Sequence, residues 1–448
     1  MHSVYHCPAP NKRLSPRFAL VAGLLAVCVV GCGSKKSAGG DRNHGVSPLF
    51  ARSFGDAEVD LAHGVAADAK GNVFVCGDTR PKKRALVDPP GQAFVLKYSA
   101  RGDQLWSKYK KGWSSAVAVA ADPAGNAFVT GRTNPTGGAM SSQKYLTKYD
   151  GDGGTLWSLR SGGEAMAVDK AGNAVVVGIA DAAHGGVDLV LNRKLYVAKV
   201  TGAGEHAWVK TMLGESHAQR IAVDGAGDVF VAGTFEGTAD LGGGIVSAAG
   251  NRDVFIVKRS GEDGRHLWSH TYRGDKDVQI AGLVATTGGS VVVVLEFHNR
   301  LTLGGKELVG SGDSDVAMAA FTGSGGIHLW SSRVGGSAAD KVNSATAGRY
   351  GSFIIAGSCS GTCNFGDKSI AARDRGDAFI ASFSGKGKLL SAEVFGAVNS
   401  LEEVTGVASL ADGDFVATGT FNGDQTKIGS RALTSKGGVD VFVTKLDE

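Results

Sequence analysis

Acidic side chains recur at one place in the sequence, immediately before the first apolar strand of a repeated unit. Six of the seven predicted units carry a carboxylate there, namely Asp60, Glu164, Glu215, Asp277, Asp340 and Glu403. Carboxylate oxygens suit divalent cations, and a group of them also attracts a basic partner. The functional interpretation of this pattern is a cation site or a binding rim for a basic partner. The alternative is that short solvated loops carry acids for solubility alone.

A basic and aromatic cluster departs from this pattern in the second unit. Lys110 and Lys111 precede Trp113, which is the one tryptophan of six that lies outside the repeated position. An exposed aromatic ring beside cations suits sugar or anion binding. The alternative is that Trp113 folds onto its own unit.

Cys359 and Cys363 flank a predicted hairpin tip, at the positions that Phe235 and Ala239 occupy in the fourth unit. Three residues at a hairpin tip place the cysteines opposite each other, within the roughly 4.4–6.8 Å Cα separation that a disulfide needs. We therefore expect a disulfide. The alternative is a Cys-x3-Cys metal site, which requires two further ligands. Cys76 aligns with small strand residues and is predicted to be structural.

Sequence motifs of catalytic centres are absent. The sequence contains no G-x-S-x-G elbow, no H-E-x-x-H and no P-loop. We therefore expect no catalytic residues, no metal centre and no cofactor. The formal net charge of +4 falls to about +1 without Lys12, Arg13 and Arg17, which lie in a segment expected to be cleaved. A near-neutral chain gives no electrostatic case for nucleic acid.

The N-terminus predicts export and lipid anchoring. Basic residues precede an apolar run over 18–30 that is too short to span a bilayer but suits a signal peptide. The run ends in Val29-Val30-Gly31-Cys32, which resembles the lipobox of bacterial lipoproteins and implies lipidation of Cys32. We predict a signal peptide over 1–31 and a flexible tether over 32–47. An ordinary secretory signal or a retained short anchor is the alternative.

The elements that position these residues are repeated strands. Each unit has an apolar strand, a turn of the form Asp-x-x-Gly, and a second apolar strand that ends in Gly. A third strand ends in Lys in most units, and a Gly-containing turn then leads to Leu-Trp in a fourth strand. Period-two alternation between turn residues predicts β-strands. The tryptophans are expected to pack between neighbouring sheets.

The two ends of the repeated region complement each other. The seventh unit ends at Glu448 without a fourth strand, and the segment 49–55 before the first unit resembles that missing strand. The units, such as residues 233–269, resemble the SBBP-type β-propeller repeats of bacterial surface proteins, especially repeat lipoproteins of myxobacteria. The expected fold is all-β: a seven-bladed β-propeller of four-stranded blades over 48–448, closed by the N-terminal strand.

The resemblance implies that the acidic loops surround one mouth of a central channel. It carries little about function, because the family is defined by architecture. We expect a monomeric, non-enzymatic binding or scaffold module on the cell envelope, with an envelope protein or polysaccharide as partner. Gly33 after the cysteine favours the outer membrane and leaves the membrane face open. The alternatives are an envelope polysaccharide lyase or hydrolase with a channel-mouth metal, and an outer-membrane assembly factor.

Overall fold

The computed structural model describes residues 48–80, 91–134, 143–179, 194–274, 278–372, 376–397, 400–428, 431–436 and 438–447. The predicted signal peptide, the tether, Cys32 and Asp277 lie outside these residues. Apart from one short 3-10 helix at Arg349–Gly351, every described element is a β-strand. The prediction of an all-β chain is therefore confirmed.

The strands form antiparallel groups of four, in which the chain passes from each strand to its neighbour. β1 spans Pro48–Phe54. Group 1 contains β2 (Val59–Ala67), β3 (Val73–Arg80), β4 (Gln92–Tyr98) and β5 (Gln104–Lys110). Group 2 contains β6 (Trp113–Ala121), β7 (Ala127–Asn134), β8 (Gln143–Tyr149) and β9 (Thr155–Leu159). Group 3 contains β10 (Ala165–Val168), β11 (Ala174–Ile179), β12 (Leu195–Val200) and the first half of β13 (His206–Val223).

The second half of β13 begins group 4, so this one strand belongs to two groups. Group 4 continues with β14 (Val229–Asp240), its partner β15 (Ile245–Ser247), β16 (Asp253–Arg259) and β17 (His266–Tyr272). Group 5 contains β18 (Gln279–Ala285), β19 (Ser290–Phe297), a ribbon of β20 (Arg300–Leu301) and β21 (Leu308–Val309), then β22 (Asp315–Thr322) and β23 (His328–Val334).

Groups 6 and 7 have the same plan, each with a two-stranded ribbon between its second and third strands. Group 6 contains β24 (Asp340–Ala347), β25 (Phe353–Cys359), the ribbon β26 (Thr362–Asn364) and β27 (Ser369–Ala371), β28 (Asp377–Phe383) and β29 (Leu389–Phe395). Group 7 contains β30 (Glu402–Ser409), β31 (Phe415–Phe421), the ribbon β32 (Asp424–Ile428) and β33 (Arg431–Thr434), and β34 (Asp440–Leu446). The fourth strand of group 7 is β1, which pairs antiparallel with β34.

The turn between the first two strands has the predicted mechanism. In group 1, Oδ1 of Asp68 accepts hydrogen bonds from the backbone N–H groups of Lys70 and Asn72, both at 2.9 Å. Gly71 has φ +78°, a conformation that side chains with a Cβ rarely adopt. The Asp and Gly of the repeat therefore fix where each strand reverses.

Each repeated tryptophan ties its group to the next one. Indole Nε1 of Trp106 donates to the carbonyl of Gly151 at 3.0 Å, and Trp157 does the same to Gly202 at 3.0 Å. Trp208, Trp268 and Trp330 donate in the same way to Gly261, Gly323 and Gly385. The predicted packing of these rings between sheets is confirmed, and it satisfies the one polar atom that a buried indole carries.

The first strands of the groups contact one another in sequence. β2 contacts β6, β6 contacts β10, β10 contacts β13, and β13 contacts β18. The series continues from β18 to β24 and from β24 to β30, and β30 also contacts β2. The apolar core consists of layers between neighbouring groups, such as the cluster that joins Phe230 of group 4 to Val293 of group 5. A face that a single group leaves apolar is thus buried by its neighbour.

Candidate functional site: the central cavity

A cavity of about 710 Å³ lies where the first strands meet. Its wall comes from groups 1 to 4, 6 and 7, and it carries six charged or titratable side chains: His63, Arg80, Glu164, Arg220, Lys341 and Glu403. Two of these six, Glu164 and Glu403, belong to the predicted acidic set. The first strand places side chains alternately between the groups and towards the cavity, as the period of a β-strand requires.

Glu403 is bound to the neighbouring group. Its Oε1 lies 2.6 Å from Nζ of Lys341 and accepts a hydrogen bond of 2.8 Å from Nδ2 of Asn343. Glu296 lies close by, where burial raises the pKa of its carboxyl and the backbone N–H of Val342 donates to it at 3.1 Å. The carboxylate of Glu403 therefore serves a contact between groups 6 and 7.

Glu164 is held in a similar way. Its Oε1 lies 2.7 Å from Nη2 of Arg132 and 3.5 Å from Nζ of Lys144. Both bases come from group 2, whereas Glu164 precedes the first strand of group 3. This acid too joins two neighbouring groups.

Arg220 reaches the backbone of two other groups. Its Nε donates to the carbonyl of Ala281 at 2.8 Å, and its Nη2 donates to the carbonyl of Asn343 at 3.1 Å. Burial lowers the pKa of Arg220 from its usual range. Sequence analysis did not single out this residue, because an arginine inside an apolar strand has no motif of its own.

The carboxylate of Asp78 interacts with several polar side chains on the group 1 side of the cavity. His63 Nε2 and Arg80 Nε each lie 2.5 Å from its carboxylate, and Ser115 Oγ donates to it at 2.8 Å. Burial alone would raise the pKa of Asp78, but the hydrogen bonds from His63 and Arg80 outweigh burial and lower it. Asp78 is therefore an ionised anchor for two basic side chains.

The remaining acids of the predicted set lie elsewhere. Asp60 and Asp340 are buried at the start of β2 and β24, and burial raises the pKa of each to about 6. Glu215 is exposed within β13, which continues through the position where the sequence predicted a loop. Strand pairing persists there because a bulge at Gly214, with φ +97°, absorbs the change of direction. Asp277 lies outside the described residues.

The basic and aromatic cluster is divided between two environments. Lys110 packs its ammonium 4.6 Å from the ring centroid of Tyr145, while Lys111 is exposed. Trp113 is the first residue of β6, half-buried and paired with Asn134. Lys110 and Trp113 therefore contribute to contacts within the protein. Of the three residues, Lys111 is the one whose side chain is exposed.

Cys359 and Cys363 form the expected disulfide, with Cα atoms 6.0 Å apart. Among the described residues, the one group of three or more side chains with metal-ligand spacing is Asp340 with these two cysteines. Both sulfurs are already bonded to each other, so this group lacks the thiolates that a metal would bind. Cys76 is a buried free thiol, and burial raises its pKa well above the usual range.

A second acidic set, which is not among the predicted site residues, is more uniformly buried than the first. Asp253, Asp315, Asp377 and Asp440 each begin the third strand of a group and are almost fully buried. Three of them lie beside a buried acid of the next group's first strand. The signal was present in the sequence, because the same Asp precedes the apolar third strand in four consecutive units.

The order of the strands and the docking of each group on the next define a β-propeller. No protein-family model matches the sequence, and no curated protein is similar to it. Solved structures are similar at 9–14% identity. A protein of unknown function from Dyadobacter fermentans has 12% identity and a TM-score of 0.46, over 90% of this chain and 99% of that one.

Two further similar structures are of named proteins. Virginiamycin B lyase from Staphylococcus aureus has 9% identity and a TM-score of 0.44, over 88% of this chain and 99% of that one. BamB from Moraxella catarrhalis has 14% identity and a TM-score of 0.38, over 91% and 95%. Likeness at this level assigns no activity or partner. The described residues contain no helix with the length and hydropathy of a membrane span.

Proposed function

We propose that the seven groups are the blades of one closed propeller and that β1 closes the ring by completing the last blade. The pairing of β1 with β34 and the contact of β2 with β30 support this arrangement. Closure removes the open edge that each end of a stack of sheets would otherwise expose. The first and last described strands then hold each other in place.

We further propose that this propeller is a non-enzymatic binding or scaffold module, attached to the cell envelope through lipid on Cys32. The signal peptide over 1–31 and the tether over 32–47 would leave the propeller as a monomeric unit at the outer membrane. Its partner is an envelope protein or polysaccharide. The sequence of the N-terminus supports the anchor, and the cavity supports the non-enzymatic role.

One observation carries the non-enzymatic role: Glu164, Glu403, Lys341 and Arg220, four of the six charged or titratable side chains of the cavity, are engaged with neighbouring groups. Glu403 is bound by Lys341, Glu164 by Arg132, and Arg220 by backbone carbonyls. A catalytic acid or base needs an atom that can reach the substrate and a pKa near the working pH. Ion pairs that join blades instead fix the wall of the cavity, which suits a rigid ring that presents its loops.

The experiment is cross-linking of the full chain in the native envelope, followed by affinity capture. Three forms are compared: the natural chain, Cys32→Ser, and the cavity double variant Lys341→Met with Glu403→Gln. We expect one specific partner with the natural chain and the cavity variant, and its loss with Cys32→Ser. Loss of that partner in the cavity variant would show that the partner binds at the cavity, and it would contradict the scaffold assignment.

A second measurement separates binding from catalysis. The purified chain is incubated with envelope polysaccharide, and both new reducing ends and unsaturated products are measured. We expect neither above the level of the cavity double variant. Turnover that the natural chain has and the variant lacks would establish the enzyme instead.

A further inference from the structure

The two ends of the described chain bring a pair of buried carboxylates together. Asp60 is the second residue of β2, and Asp440 is the first residue of β34. Gly55 lies between them: a Cβ at this position would collide with Oδ1 of Asp440 and lie 3.0 Å from Oδ2 of Asp60. Both carboxylates therefore face the same small space, which glycine keeps open.

No ion pair balances the charge of these two carboxylates: the exposed Lys436 acts on Asp440 through its charge and the hydroxyl of Ser435 donates to it, but burial outweighs both and raises its pKa. Asp60 is 1% exposed and Asp440 is 0% exposed, and no described basic side chain lies within ion-pair distance of either. Oδ2 of Asp440 accepts the backbone N–H of Lys436 at 2.7 Å, and Oδ2 of Asp60 accepts that of Asp56 at 3.2 Å. Oδ1 of Asp440 is buried without a hydrogen-bond partner among the described residues. Burying charge in this state is costly.

An equivalent pair within the molecule has its own cation. Asp315 and Asp340 flank Gly335, where an added Cβ would lie 2.5 Å from Oδ1 of Asp315 and 3.0 Å from Oδ2 of Asp340. There Nη1 of Arg333 lies 2.7 Å from Oδ1 of Asp315.

The strand registers show which residue takes the place of Arg333 at the chain ends. Arg333 pairs with Ala317, two residues after Asp315, and Ser53 pairs with Phe442, two residues after Asp440. Ser53 therefore stands where the other pair has its arginine. The polypeptide supplies no positive charge at that position.

The other two third-strand aspartates show different solutions. Oε1 of Glu402, beside Asp377, accepts hydrogen bonds from the hydroxyls of Ser400 and Thr426, whereas its Oε2 is buried without a hydrogen-bond partner among the described residues. In group 5, Val278 stands at the position that Asp60 occupies in group 1. Backbone N–H groups of Ala249 and Gly250 donate to the carboxylate of Asp253. Asp253 therefore serves as a control position, with the same strand location and no second acid.

We propose that a divalent cation of the Ca²⁺ class binds between Asp60 and Asp440. Carboxylate oxygens are the ligands such ions prefer, and each carboxylate can supply one or two. Asp56 and Glu58 add negative charge beside the pair. The ion takes the role that the guanidinium of Arg333 has in group 5, and it joins the segment after β1 to the last strand.

The test uses the full chain freed of metal with EDTA and titrated calorimetrically with CaCl₂ at neutral pH. We expect binding in or below the millimolar range and a Ca²⁺-dependent rise in Tm. Asp60→Asn and Asp440→Asn each lose one bound ion per chain, or at least about tenfold in affinity, since charge count sets affinity. Asp253→Asn binds Ca²⁺ as the natural chain does.

Two controls keep the outcome clear. In EDTA, Asp440→Asn should be at least as stable as the natural chain, because it removes the repulsion without removing a bound ion. Ser53→Arg, which copies Arg333, should raise Tm in EDTA and weaken Ca²⁺ binding. The proposal is overturned if the natural chain binds no Ca²⁺ at neutral pH, as expected for a shared proton, or if both Asn variants bind Ca²⁺ unchanged.

Discussion

Two sets of residues differ in how strictly they repeat: an outer layer, which we define as the strand-ending lysines and the fourth-strand tryptophans, and an inner layer, which we define as the positions at the start of the first strands. In the outer layer, the tryptophan donates to a glycine of the next group in five groups. The strand-ending lysine pairs with the turn aspartate in three groups: Lys148 with Asp122, Lys199 with Asp169, and Lys258 with Asp224. In the inner layer, the position of Asp60 is Ser114, Ser216, Val278 or Asp340 in other groups. The outer layer therefore builds the fold, and the inner layer distinguishes one interface from another.

The largest effect should come from the outer layer. Trp268→Ala removes a ring that is 9% exposed and packs on Phe230, with centroids 5.9 Å apart. We expect a loss of about 3–5 kcal/mol in the free energy of unfolding, measured by urea denaturation, because a large cavity forms between two groups. Trp113→Ala, at the half-buried position outside the repeat, should cost clearly less. Equal losses would show that the repeated position has no special role.

The disulfide occurs in group 6, where group 4 has an apolar pair at the same positions. Replacing the cysteines shows whether that apolar pair can stabilise group 6 in place of the disulfide. Replacing both Cys359 and Cys363 by Ser should cost about 2 kcal/mol in the free energy of unfolding, because a short loop loses its cross-link. Cys359→Phe with Cys363→Ala copies group 4, where Phe235 and Ala239 are buried. We expect this pair to recover part of the loss in the same denaturation experiment. A Phe-Ala variant no better than the Ser variant would contradict the equivalence of the two groups.

Asp340 gives the inner layer a dependence on pH. Burial raises the pKa of its carboxyl to about 6 in the folded state, above the ordinary value of 3.8. Between pH 3.8 and about 6, the carboxyl of Asp340 is therefore protonated in the folded chain but ionised in the unfolded chain. The stability that this proton provides is lost as the pH rises towards and through about 6.

Asp340→Asn stays neutral at every pH. We therefore expect its Tm, relative to the natural chain, to improve between about pH 4 and 7, measured in EDTA by calorimetry. The reference is Asp253→Asn, which has no first-strand acid opposite it. A Tm difference for Asp340→Asn that is flat across this range would refute the raised pKa.

The smallest effect should come from a single lysine of the outer layer. Nζ of Lys258 lies 3.0 Å from the carboxylates of Asp224 and Asp228, which are partly exposed. Lys258 itself is buried. We expect Lys258→Met to cost about 1 kcal/mol by urea denaturation, since both aspartates keep contact with solvent and the apolar stem still packs. Ala320 stands at this position in group 5. A loss as large as that of Trp268→Ala would show that the lysine stabilises the fold as much as the tryptophan ring does.

The sequence by itself determined the repeat and its local structure. The Asp-x-x-Gly turns, the alternating strands and the tryptophan positions depend on residues close in the chain, and the structure confirms each of them. The disulfide was also predictable, because Cys359 and Cys363 belong to one hairpin. Local patterns suffice wherever the partners are neighbours in sequence.

Only the tertiary structure decided which polar residues meet. The six predicted acids looked equivalent, yet Glu164 and Glu403 line the cavity while Asp60 and Asp340 are buried between groups. A shift of one residue along a strand moves a side chain to the other face, and bulges in the first strands set that register. The meeting of Asp60 with Asp440 depends on the pairing of β1 with β34, which joins residues nearly the whole described chain apart.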